Sequence, residues 1–362
     1  MTAKSELRRT VFGVILFLSG FFVIFSMNNS VKSGVESGIS LCLGVLVPSL
    51  FLPLILCSFL QLCGFLELIG KPLDKFARFA FQINGISFAA FIMSCISGYP
   101  IGAVLTRALY DNGMIDKPTA RRLSLCSINA GPAFIVLGVG FGMMKSMKIG
   151  VFLLIIHLIC AIALLMITRF TEKGNDMIIK PDFAKTKNCD MSFSEICVKS
   201  VERATKSMAM ICAYTVIFSA VVSSVGSFNI DAALKSMIIG VSEVTNACLY
   251  FSGSLNLPMI SAALGFSGLS VIAQVTAALG GLSDVKKIII YRLISAIISF
   301  FLCRSALIIF PISQSVALSN GKVIIQVSSS TMIISLLLLI SSFVFLCSIY
   351  QHKSKKIMDF FR

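Results

Sequence analysis

Apolar runs long enough to cross a bilayer recur along this chain, separated by short polar connections. At roughly 20 apolar residues per crossing helix, full spans are expected near 11–27, 49–69, 123–144, 149–169, 207–227, 257–280, 288–312 and 330–350. Two further apolar stretches, 84–113 and 233–256, carry turn-forming residues at their centres. A single crossing by 84–113 would put Arg121 and Arg122 on the face that the neighbouring spans leave poor in basic residues. Each stretch is therefore expected to enter and leave on one side as a re-entrant hairpin. Irregular backbone is tolerated at that depth only inside protein or beside a watery cavity.

The order of elements repeats. An amphipathic segment (31–47) precedes a span, a hairpin, an interrupted span and another span. A second amphipathic segment (192–209) precedes the same series. The first series starts outside and the second inside, so the halves are expected to form an inverted repeat, a recurring plan among transporters. The amphipathic segments would lie in the two interfaces and frame the hairpins. The fold class expected is an all-α polytopic membrane protein with about eight transmembrane helices and two re-entrant hairpins. Its parts are a flanking helix (1–29), a first repeat (30–170), a polar cytoplasmic linker (171–191), a second repeat (192–312), and a final helix with a basic tail (313–362).

Composition agrees with the pattern: 57% of the 362 residues are hydrophobic and only 13% charged, too few to cover a soluble protein. The net charge of +15 is spread over short loops, so no nucleic-acid partner is implied. Most of the 31 basic residues fall on one side, leaving Lys32, Lys145, Lys148, Lys235 and Lys322 outside and Arg304 within a span. That bias places both termini in the cytoplasm. The run from Val11 resembles a signal-peptide core, but Asn28, Asn29 and Ser30 follow it instead of a cleavage site, so it is read as a retained span. The twelve cysteines are scattered without a CxxC pair, and His157 and His352 stand apart from them. Neither a metal centre nor a nucleophile–base pair is in view, and no enzymatic activity is expected.

Four polar elements interrupt the apolar runs: SGYPIGA (97–103), SINAGPAF (127–134), GVSEVTNA (240–247) and GFSGLSVIAQ (265–274). Gly98 with Pro100, Gly131 with Pro132, and Gly265 with Gly268 are the residues that break or bend a helix. Broken helices aim free N–H and C=O groups, and the partial charges of helix ends, at the gap. A central pocket for a small polar solute is therefore expected, lined by Ser97, Tyr99, Asn129, Glu243, Thr245, Asn246, Ser267, Ser270 and Gln274. At the first tip, Ser97 and Tyr99 are expected to satisfy groups left unpaired by the turn. Glu243 stands out, because a carboxylate at membrane depth is costly and marks function by default. It could hold a cation, shuttle a proton, accept hydrogen bonds from a solute, cap the backbone at Thr245 and Asn246, or pair with Arg304. No cofactor is identified beyond a possible coupling cation, Na+ or H+.

The stretch SGYPIGAVLTRALYDNGMIDKPTARRLSLCSINAGPAFIVLGVGFGMM (97–144), with GVSEVTNACLYF and GFSGLSVIAQV, resembles the membrane Gate, or nucleoside-recognition, domain. It is most similar to the sporulation integral membrane proteins of the YlbJ type. The resemblance implies re-entrant hairpins facing broken helices, with site residues at 97–99, 129, 243–246 and 267–274. It also implies a role in endospore formation at the cell or forespore membrane, with homo-oligomers common among relatives. Two functions are consistent with it. One is a permease-like protein for a small polar solute; the other is a non-transporting assembly factor for the spore cortex.

Overall fold

The computed structural model describes Ile15 and residues 28–172, 191–228 and 231–309. The spans expected at 11–27 and 330–350, the bulk of the linker at 171–191 and the basic tail lie outside these residues. All described residues belong to one compact unit. They are helical throughout, with no strand among them, as the hydrophobic pattern requires.

The first half runs α1 (Asn28–Leu41), a π-helical turn (Cys42–Leu46), α2 (Val47–Leu62), α3 (Phe65–Phe81), α4 (Gly85–Ser97) and α5 (Ile101–Asp111). It continues with α6 (Lys117–Cys126), the π-wound α7 (Ala133–Met143) and α8 (Met147–Thr171). The second half runs α9 (Phe193–Gly226), α10 (Ala232–Ser242), α11 (Val244–Gly253), α12 (Leu257–Phe266), α13 (Gly268–Leu279) and α14 (Val285–Ile309). Each half therefore holds a long helix, two helix–break–helix pairs and a closing helix; only α3 lacks a counterpart.

Local sequence sets many of the helix starts. Asn84 accepts a hydrogen bond from the Ser87 amide and Asp116 from that of Thr119, each at 2.8 Å. Ser192 and Glu195 form a reciprocal capping box at the start of α9. Asn256 receives the Met259 amide at 3.2 Å. Such caps satisfy amides that have no partner within the helix.

Among the described residues, five helices or helical stretches are long and apolar enough to cross a membrane: Asn29–Leu62, Met147–Thr171, Phe193–Gly226, Leu257–Leu279 and Val285–Ile309. A sixth arises if Leu68–Phe81 and Gly85–Ser97, bent by 91°, count as one. The expectation of separate amphipathic helices at 31–47 and 192–209 is corrected. Each continues into the next span as one 34-residue helix. Between Phe193 and Val225 no Gly or Pro interrupts α9. In the first half, the π turn just ahead of Pro48 absorbs the hydrogen bond that proline cannot donate. At 1.5 Å per residue each helix is about 51 Å long, well beyond a hydrocarbon core of about 30 Å.

These two long helices run antiparallel against each other. A Cβ on Gly34 would meet the Ala220 Cα at 2.6 Å, and one on Gly38 the Val216 Cα at 2.8 Å. The Cys42 thiol reaches the Cys212 carbonyl at 3.7 Å. Advancing four residues on one helix retreats four on the other. Gly34 and Gly38 thus form a small-xxx-small surface that brings the backbones into contact.

The expected span at 49–69 ends at Leu62. Gly64, at φ 75°, caps the start of α3, a separate helix the apolar pattern did not distinguish. The expected span at 123–144 is divided into α6 and α7 by residues 127–132. The stretches 84–113 and 233–256 are the helix pairs α4/α5 and α10/α11.

Candidate functional site

Four breaks organise the interior, and within each half they meet in pairs. The break between α4 and α5 lies at Gly98, Tyr99 and Pro100, with a cis Tyr99–Pro100 bond. That between α6 and α7 spans 127–132. A Cβ added to Gly98 would lie 2.7 Å from the Gly131 amide nitrogen, so the two chains touch backbone to backbone. In the second half, α10 and α11 are divided at Glu243, and α12 and α13 at Ser267. A Cβ on Gly268 would lie 2.9 Å from the Glu243 Cα. Gly98 and Gly268 have positive φ of 76° and 80°, which only glycine adopts without strain.

Both pairs open on one cavity of about 30 Å³. Ser97, Gly98 and Tyr99 line it from the first break, and Gly131 and Phe134 from the second. Glu243, Val244 and Thr245 contribute from the third, and Ser270 and Gln274 from the fourth. Leu46, Leu50 and Leu54 of the first long helix, with Ile211 and Thr215 of α9, complete the wall. Such a space admits a water molecule or two, or a small ion. Sites that enclose a drug-sized ligand need several hundred Å³.

Glu243 is buried and caps α11. Its Oε2 accepts the Asn246 amide at 2.8 Å and the Asn246 side-chain Nδ2 at 3.1 Å. Its Oε1 accepts the Thr245 hydroxyl at 2.9 Å. Asn246 is held in turn by Ser219 of α9 at 2.9 Å. The capping alternative therefore describes its contacts, while the same carboxylate lies on the cavity wall. Arg304 is exposed on α14.

Of the nine candidate liners, six face the cavity: Ser97, Tyr99, Glu243, Thr245, Ser270 and Gln274. The other three hold the breaks together. Asn129 donates to the Cys126 carbonyl at 3.0 Å and the Ser94 hydroxyl at 3.2 Å. Asn246 supports Glu243, and Ser267 turns the chain at φ 72° while its hydroxyl donates to the Leu264 carbonyl at 3.2 Å. Neither Ser97 nor Tyr99 satisfies its own turn as expected. Their hydroxyls and the Gln274 Oε1 make no hydrogen bond to the described residues. Ser97 lies near the Cys57 thiol. Among the break residues, Gly265 is not a break point. It sits in the last turn of α12, where a Cβ would strike the Ser295 carbonyl of α14 at 2.8 Å.

Arginines that the charge pattern assigned to loops prove to brace helix ends, two of them fully buried. Arg292, fully buried on α14, donates to the carbonyls of Ile128 at 2.5 Å and Leu125 at 3.0 Å, with Gly265 at 3.5 Å. One guanidinium thus caps the C-terminal ends of both broken helices, α6 and α12. Arg122, equally buried, reaches the Phe81 and Gln82 carbonyls at 2.7 and 2.8 Å, and Arg169 the Ala80 carbonyl at 2.9 Å. Arg107 donates to the Leu279 and Gly280 carbonyls at 3.2 and 3.3 Å. Each cation meets carbonyls that carry the negative end of a helix dipole. His157 of α8 completes the second break, its Nε2 accepting the Ala130 amide at 3.0 Å. The position of Arg292, seven residues into an apolar helix, is the signal that could have distinguished it from a loop charge.

Helices of this length and apolarity, packed around a polar centre, define a multi-pass integral membrane protein. A segment of 122 residues is 30% identical to "Sporulation integral membrane protein YlbJ" of Bacillus subtilis (strain 168), covering 34% of this chain. The match spans 30% of that protein's own length. No family model matches the chain, and no solved structure matches it.

Proposed function

We propose that this chain is a permease-like protein of the cell or forespore membrane that passes a small polar solute through the cavity at the four breaks. The observation that carries this reading is the convergence of breaks from both halves on one space walled by a carboxylate. The repeated element order supports an inverted repeat with α4/α5 and α10/α11 as re-entrant hairpins, in the manner of a Gate domain. The basic bias supports cytoplasmic termini, and the similarity to a sporulation membrane protein supports a role in spore formation. At about 30 Å³ the space is too small for such a solute, so passage requires the hairpin tips to separate. Glu243 is the group suited to a coupling cation, Na+ or H+. The chemistry is transport, with no cofactor and no catalytic step, and the assembly is either one chain or a homo-oligomer.

Uptake of nucleosides, amino acids and dipicolinate-like acids into proteoliposomes tests this reading, with Glu243→Gln as the paired variant. The amide oxygen of glutamine keeps one cap acceptor while the charge is removed. Uptake by the parent protein that falls at least tenfold in the variant is expected. Inertness of both toward the whole panel overturns transport.

A second reading, a non-transporting assembly factor for the spore cortex, is favoured by the saturation of Glu243 with three internal hydrogen bonds. Sporulation complementation separates the two. Normal function after Glu243→Ala together with Asn246→Ala favours the assembly factor, as does failure on substituting residues 171–206.

A further inference from the structure

The wall of the cavity at the four breaks divides by chemistry. Leu46, Leu50 and Leu54, four residues apart along the first long helix, form an apolar strip that Phe134 and Ile211 extend. Ser97 and Tyr99 of the first half, with Glu243 and Gln274 of the second, supply polar groups. Among the described residues that line the space there is no lysine, arginine or histidine.

Those polar groups differ in what they have already bonded. Gln274 is only 6% exposed, and its Oε1 makes no hydrogen bond to the described residues. The buried hydroxyls of Ser97 and Tyr99 are in the same condition. Buried polar atoms are costly unless a partner is supplied, and all three are oxygens with lone pairs to offer. Glu243 is in the opposite condition. The Thr245 hydroxyl and both nitrogens of Asn246 converge on its two oxygens. An ionised carboxyl group only accepts hydrogen bonds, so it is the form these donors match. It also caps the N-terminus of α11, where negative charge is favourable. The wall thus carries one negative charge with no cationic side chain on it, and three oxygens to which nothing donates.

We infer that the cavity binds the ammonium head of a primary amine. The three N–H groups of the head equal in number the unpartnered oxygens of Ser97, Tyr99 and Gln274, and its positive charge is balanced by Glu243. The space as it stands has room for about two heavy atoms, the nitrogen and its first carbon. The rest of an alkyl chain would follow the leucine strip once the hairpin tips part. An anionic solute would meet a like charge without a balancing cation. A quaternary ammonium would bring charge but no N–H donor, and an alkali ion would leave the apolar strip unused. The inference rests on the cavity being a solute site, and it names the class of solute.

Binding of radiolabelled methylammonium to the full-length protein in detergent micelles tests it, with competing salts at equal ionic strength. Saturable binding is expected, displaced by ethylammonium and not by sodium, tetramethylammonium or acetate. Tyr99→Phe and Gln274→Leu each remove an oxygen that bonds nothing within the described residues. Their unfolding in SDS micelles should match that of the parent, while each weakens methylammonium binding by about tenfold or more. Absence of saturable binding to the parent protein overturns the inference. So does displacement by sodium as effective as by ethylammonium, which would make this a site for bare cations. Full affinity in both variants also overturns it, since the amine would then lie elsewhere. Uptake of an acidic or neutral solute without amine binding would overturn it and leave transport standing. Amine binding without uptake of any solute would keep it and remove transport.

Discussion

Substituting Gly98 by alanine tests whether the breaks pair as described. Two effects combine at this position. With φ 76° and ψ −176°, the residue occupies a region essentially restricted to glycine, and a side chain there costs about 1–3 kcal/mol. The new Cβ would also lie 2.7 Å from the Gly131 nitrogen, a backbone atom that cannot swing aside. Forcing apart a packed contact costs about 1–3 kcal/mol more. The total is about 2–6 kcal/mol. Gly113→Ala is the control, since it has φ 66° but nothing within 4 Å of its Cβ. It should lose only the left-handed penalty of about 1–2 kcal/mol. Unfolding of both variants in mixed micelles with increasing SDS measures the difference directly. The left-handed penalty is common to both, so Gly98→Ala should be the less stable by the contact cost of about 1–3 kcal/mol, roughly a 5- to 150-fold shift in the folding equilibrium. Equal stability within about 0.5 kcal/mol would show that the 98–100 and 127–132 segments do not touch.

Other consequences can be measured in the same way. Arg292→Met leaves the Leu125 and Ile128 carbonyls without their buried cation and should cost about 3 kcal/mol or more; exposed Arg304→Met should change stability by less than about 0.5 kcal/mol. Gly38→Val should separate the two long helices and cost about 1–3 kcal/mol, whereas Gly44→Val, with nothing within 4 Å of its Cβ, should be nearly neutral. With Cys42 and Cys212 as the sole cysteines and a protease site placed in 173–190, oxidation should keep the two halves covalently joined after cleavage. Release of separate halves would contradict the antiparallel register.

How far the fold could be read from sequence differs from element to element. The breaks at 98–100 and 127–132 are visible because Gly and Pro stand together inside apolar runs, and nothing else in a membrane helix explains that pairing. Glu243 marks the third break because an isolated carboxylate there needs local donors, which Thr245 and Asn246 supply. The fourth break is displaced to Ser267, since Gly265 is required for close approach to α14; a glycine in a pattern does not say whether it bends or packs. Helix α3 was hidden because Leu62 to Ile69 is apolar across the turn apart from Glu67, and the lone Gly64 is a weak stop signal. Arg122 and Arg292 were counted with the loops because a tally of basic residues near span ends cannot tell which way a side chain turns. Their carbonyl partners come from helices far away in sequence, so no local pattern announces them.

The central claim, that the two halves share one cavity at their breaks, is tested most directly by thiol accessibility. In a cysteine-free protein in vesicles, single cysteines at Ser97, Ser270 and Gln274 are compared with ones at Ser87 and Ser299, buried away from the cavity wall. Reaction with a small methanethiosulfonate ammonium reagent is expected at the three cavity positions at least tenfold faster than at the two controls. Equal rates at all five would mean that the breaks enclose no working site.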